Sequence, residues 1–106
     1  MTKEELYELS FQLILHSGNA RSSAMEAMYE AKAGRFEEAN VKIQEAESEL
    51  HKAHRYQTDL ITAEAGGDSF EIPILLIHAQ DHLMTAMTVK DLAKEIIEIR
   101  QDLSNK

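Results

Sequence analysis

At 106 residues the chain has the length of one domain, and with 43% apolar and 28% charged residues it is hydrophobic enough to fold. A net charge of −8 supplies no basic surface for nucleic acid. The lack of cysteine removes disulfide frameworks and thiolate zinc sites, and no apolar run reaches the roughly 20 residues of a membrane span. The opening MTKEELYELS has neither the basic nor the apolar region of a signal peptide, so a cytoplasmic chain without membrane insertion is expected.

Gly18, Gly34, Gly66-Gly67 and Pro73 are the main punctuation, and the stretches between them are rich in Ala, Glu, Leu, Met and Lys. This predicts an all-α fold, an antiparallel three-helix bundle forming a single domain over residues 1–106. The first helix is expected from about Thr2 to Ala33, interrupted at Gly18-Asn19 by a kink or by a break in which Asn19 recaps the second half. Ala20, Ala24, Ala27 and Ala31 form a stripe of small residues that lets a neighbouring helix come close.

After a turn at Gly34, the second helix is expected from about Arg35 to Glu64. Phe36, Ala39, Ile43, Ala46, Leu50, Ala53, Gln57 and Leu60 repeat at three and four, a single heptad seam. Glu38 and Lys42 are placed as an i,i+4 ion pair on its outer side. Gln57 is the one polar residue in the seam; it either reaches the polar residues of the third helix or acts as a register device, and the second reading is favoured.

The loop Ala65–Ile72 leads to Pro73, which suits a first helical turn, and the third helix is expected to run to about Gln101 before fraying. One face of this helix, Leu76, Leu83 and Met87 flanked by Ile77 and Met84, is assigned to the core. The other carries Ile74, His78, Asp81, His82, Thr85, Val89, Leu92 and Ile96. A helix apolar on nearly all sides must be buried on nearly all sides, which a bundle this small cannot do alone. Self-association through the second face is expected, although a groove for a partner helix would satisfy the same pattern.

Within that face lies a polar island of His78, Asp81, His82 and Thr85, with Gln80 on its flank. Polar groups in an apolar face are costly unless paired. Three readings compete: interface polars that fix register, a metal site built from two His at i,i+4 and a carboxylate, and nucleophilic histidine chemistry. HExxH and the Glu-x-x-His pairs of di-iron bundles are absent, and Gly66-Gly67 has no phosphate-loop context. His16, His51 and His54 have no comparable neighbours in the sequence.

The segment IHAQDHLMTAM, Ile77 to Met87, resembles the signature of the lactose/cellobiose-type enzyme IIA proteins of the bacterial phosphoenolpyruvate-dependent sugar phosphotransferase system. The likeness extends over nearly the whole chain, through HSGNARSSAMEA from His16, GRFEEA from Gly34, KAHRYQTDL from Lys52 and AGG from Ala65. The resemblance implies a homotrimer with the third helices near the three-fold axis. It implies that His78 is the phosphoacceptor, receiving phosphate from HPr and passing it to a cysteine of the cognate IIB component, while the sugar enters through the IIC permease. Asp81 corresponds to an aspartate directed at an axial metal ion, one per trimer, for which Mg²⁺ suits the oxygen ligands. His82 and Gln80 are assigned supporting roles, donating to phosphoryl oxygens or holding the His78 tautomer. The HAQDH form is more like the cellobiose and diacetylchitobiose branch than the lactose one. An imidazole suits this work because it is nucleophilic near neutral pH and forms a labile P–N bond. The alternative from another class is a non-catalytic helical adaptor or a structural metal-binding oligomer.

Overall fold

The computed structural model describes residues 1–106 as three helices: α1 (Lys3–Lys32), α2 (Phe36–Ala65) and α3 (Ile74–Ser104). Glu26 pairs with Lys42 at 2.8 Å, and His16 Nδ1 lies 2.6 Å from Glu49, so α1 and α2 run antiparallel. Gln57 meets Gln80 and Glu47 meets Lys94 at 3.5 Å, so α3 runs back along α2. α1 and α3 are therefore parallel, in a rod of 57 × 19 × 17 Å. α1 packs extensively against both partners, whereas α2 and α3 touch each other much less.

The small-residue stripe explains that arrangement. Ala20, Ala24, Ala27 and Ala31 of α1 are buried, as are Ala39, Ala46 and Ala53 of α2 and Ala79, Ala86 and Ala93 of α3. Alanines at the contacts bring the helix axes together, and the leucines and isoleucines between them fill the remaining space. The α2 seam is placed as its heptads require, with Ile43 and Leu50 buried and Phe36, Gln57 and Leu60 half-buried at its ends. Ser17 Oγ is the one buried side-chain polar atom without a partner.

Four expectations are corrected. α1 is unbroken through Gly18, and Asn19 turns its side chain toward Glu49 at 3.5 Å instead of capping a helix. A lone helical glycine costs about 1 kcal/mol, too little to break a helix whose neighbours Ser17 and Ala20 are locked in the core. Lys42 pairs with Glu26 and Glu45 rather than Glu38, because the contact across helices is open to it. On α3, Leu76 and Leu83 are buried as expected, but Met87, Ile77 and Met84 are exposed and Ala79, Ala86, Ala93 and Ile97 complete the inner face. The close approach set by the alanines pushes long side chains off the contact line. Finally, α3 stays helical to Ser104 instead of fraying, with Pro73 just outside its first turn.

The α1 start is fixed by a capping box in which Thr2 and Glu5 exchange side-chain and backbone hydrogen bonds. The α1–α2 turn uses Gly34 at φ +82°, where a side chain would be strained. No helix is long and apolar enough to cross a membrane.

Candidate functional site

The polar island sits on the first half of α3, on the side turned away from the other two helices. His78 is exposed and His82 half-buried. One helical turn separates them, and the rings meet edge to face at 86°, with centroids 4.5 Å apart. Their Nε2 atoms are 3.0 Å apart. A hydrogen bond at that distance needs one donor and one acceptor, so the two rings must hold opposite tautomers at Nε2. When His82 donates, the His78 Nε2 lone pair is the acceptor, and the ring proton of His78 sits on Nδ1.

Gln80 projects to the flank rather than toward the histidines. Its Nε2 donates to Gln57 Oε1 of α2, and both residues are half-buried. Gln57 thus does more than interrupt a seam: it ties the site-bearing turn of α3 to α2. This tie matters because α2 and α3 otherwise share little contact.

Asp81 and Thr85 are exposed on the same outer stripe as His78. No three His, Cys, Asp or Glu residues of one chain come together to hold a metal ion. A single copy offers a hard cation one carboxylate, against the six or more oxygens such ions take. A divalent ion does not fit the isolated chain.

The stripe around the island is apolar and open. Ile74 is 83% exposed and Leu103 65%, with Leu92, Ile96 and Ile99 between them. Val89, assigned to this face, is instead half-buried against the core. Tyr7, Phe11 and Leu15 form a further exposed row on α1 at spacing four.

One cluster was not legible from the sequence. His16 of α1 lies against Glu49 and stacks on Tyr56 of α2. Its only signal in the chain was the likeness of HSGNA to a family segment. The Glu49 carboxyl is opposed by burial, which raises its pKa, but hydrogen bonds from His16 and Asn19 and the charge of Lys52 together hold it below the ordinary value of 4.5.

The profile described as "PTS system, Lactose/Cellobiose specific IIA subunit" matches residues 8–101. The lichenan-specific phosphotransferase enzyme IIA component of Bacillus subtilis (strain 168) is 58% identical over 101 residues, covering 95% of this chain and 92% of that one. The crystal structure of the cellobiose-specific enzyme IIA from Bacillus anthracis superposes with a TM-score of 0.93 at 52% identity, over 100% of this chain and 95% of that one. The IIA(chitobiose) in its solution complex with HPr, from Escherichia coli, superposes with a TM-score of 0.81 at 39% identity, over 93% of this chain and 96% of that one. The all-helical fold, the IHAQDH turn and these likenesses agree: the chain belongs to the lactose/cellobiose-specific enzyme IIA family, the phosphotransferase components that carry phosphate in sugar transport.

Proposed function

We propose that this chain is a phosphoryl carrier in which His78 accepts phosphate from HPr and delivers it to the cognate IIB component, for uptake of a β-linked disaccharide of the cellobiose or diacetylchitobiose type. The observation that carries this reading is the exposed His78 imidazole with its Nε2 3.0 Å from His82 Nε2. As the P–N bond on the donor breaks, a new one forms at His78 Nε2. The His82 N–H that held the lone pair in place then turns to the incoming phosphoryl oxygen. Delivery to a IIB cysteine reverses the geometry, with P–N breaking as P–S forms. Phosphoryl transfer asks mainly for positioning and charge stabilisation, and an exposed ring reachable by two different proteins meets the first need. Gln80, held by Gln57, keeps this turn of α3 in place. The HPr complex of the chitobiose-type neighbour supports the donor. The lichenan- and cellobiose-specific names of the relatives support the sugar class. The absence of a membrane-crossing helix fits a cytoplasmic carrier that meets its IIC permease indirectly.

A homotrimer is part of the proposal. Ile74, His78, Asp81 and Thr85 repeat at four, three and four along the exposed stripe, and Leu92, Ile96, Ile99 and Leu103 do the same. An open heptad seam seeks the same seam on other copies. The apolar rows flanking it differ, Tyr7 and Phe11 on α1 and Ile77 and Met84 on α3, which favours a head-to-tail contact that closes into a ring. Three Asp81 carboxylates brought together on that axis would repel unless a cation intervened, and a divalent ion such as Mg²⁺ suits them.

The test is incubation with phosphoenolpyruvate, Enzyme I and HPr. One acid-labile phosphate per chain is expected, and none in His78→Ala with helicity retained. Labelling that persists in the variant would refute the assignment to His78.

A further inference from the structure

A second group of versatile side chains lies in the groove between α1 and α2, to which α3 contributes nothing. His16, Lys52, Arg55, Tyr56 and Asp59 line a depression of about 350 Å³ there. That is the small end of the range of about 300–1,000 Å³ for small-molecule pockets. Its floor is organised. His16 Nδ1 stands 2.6 Å from Glu49 Oε2, and the ring lies against Tyr56 with 11° between planes and 6.0 Å between centroids. Lys52 and Asn19 also reach Glu49, at 3.4 Å and 3.5 Å. The Glu49 carboxylate is therefore committed inside the cluster. It engages the His16 ring through Nδ1, leaving Nε2 without a partner. Arg55 and Asp59, by contrast, belong to no ion pair.

The mixture of groups selects a ligand class. A bare anion would gain Arg55 and Lys52 but meet repulsion from Asp59. A neutral sugar would satisfy Asp59 and leave the guanidinium fork of Arg55 without the bidentate oxyanion it suits. A molecule carrying both a phosphate and several hydroxyls satisfies every group. We infer that the α1–α2 pocket binds a sugar phosphate, with the phosphate on Arg55 and Lys52 and hydroxyls hydrogen-bonding to Asp59 and to His16 Nε2. Such a molecule is the product class of the transport reaction proposed above, so its binding would make the carrier responsive to its own product. The pocket's chemistry does not depend on that reading, and His78 takes no part in it.

The test is titration of glucose 6-phosphate into the full-length, ¹⁵N-labelled protein, with inorganic phosphate and glucose as separate arms. Saturable amide shifts are expected around His16 and Lys52–Asp59, with affinity for either control at least about tenfold weaker. Arg55→Ala, an exposed position whose variant should keep its helicity, is expected to weaken glucose 6-phosphate binding by about tenfold or more. Asp59→Asn is expected to narrow the gap between glucose 6-phosphate and phosphate. Absence of saturable shifts, equal affinity for inorganic phosphate, or an unchanged Arg55→Ala variant each overturns the inference. His78→Ala is expected to bind normally, so this pocket and the phosphoryl site succeed or fail separately.

Discussion

The Nε2 atoms of His78 and His82 stand 3.0 Å apart across one turn of α3, close enough that only one of them can carry a proton. That single shared position makes the pair directional. In the proposed transfer, His82 as donor leaves His78 as the nucleophile, and deleting His82 leaves His78 free to rotate and to adopt either tautomer. His82→Ala should therefore slow phosphate acceptance from HPr by about 10- to 100-fold, the value of one hydrogen bond to a charged group. The phosphorylated end point should still reach one per chain. Rapid-quench labelling measures this, and an unchanged rate would remove His82 from the mechanism.

Glu49 gives the bundle a pH dependence at its α1–α2 seam. Burial works against its charge, but hydrogen bonds from His16 and Asn19, with help from Lys52, leave its folded pKa below 4.5. A carboxyl depressed on folding contributes stability that is present above its unfolded pKa and lost as pH falls through the folded one. Denaturant melts between pH 6 and pH 3 should show wild type losing stability below about pH 4.5 more steeply than Glu49→Gln. At pH 7 the variant should be weaker by about 1–3 kcal/mol, because His16 loses its carboxylate partner. Parallel pH profiles for the two proteins would contradict this.

Gly18 occupies the middle of α1 without any conformational or steric need to do so. Its φ is not positive, and a Cβ built there meets no atom within 4 Å. Gly18→Ala should add about 0.5–1 kcal/mol by restricting the unfolded chain. That corresponds to a Tm rise of several degrees for a domain of this size, about 4–8 °C per kcal/mol. A lower Tm would mean that the backbone bends at Gly18 in the functioning protein.

These results separate what periodicity can reveal from what it cannot. The α2 seam, the alanine stripe of α1 and the His78–His82 adjacency follow from spacing within a single helix, and they were legible. The contacts Gln57–Gln80, His16–Glu49 and Lys42–Glu26 join different helices. Their registers depend on loop lengths and on how closely alanines let the axes approach, and no single-helix pattern encodes that. Met87 was misassigned to the core for the same reason. At the close separation that Ala79 and Ala86 impose, a residue at the edge of the inner arc falls outside it. Gly18 misled because glycine marks a break only where packing does not hold the helix on either side.

The outer stripe of α3 offers the most direct test of assembly. Leu92 is 56% exposed in the single chain and lies midway along the seam, away from the histidines. Burying its remaining exposed surface against other copies would contribute about 1–2 kcal/mol per subunit, and a lysine there would bring like charges together in the proposed trimer. Leu92→Lys should convert the proposed trimer to monomer in size-exclusion chromatography with light scattering, with helical content unchanged. In the proposed trimer, Asp81→Leu removes the carboxylates that would hold an axial ion, so any bound metal should fall to zero by elemental analysis while the apolar seam keeps the copies together. Both variants begin from an exposed position and leave the α1–α2–α3 core untouched, so neither result reduces to misfolding. A Leu92→Lys protein that remains trimeric would place the interface on another face, and the flanking rows at Phe11 and Met84 would be the next to mutate.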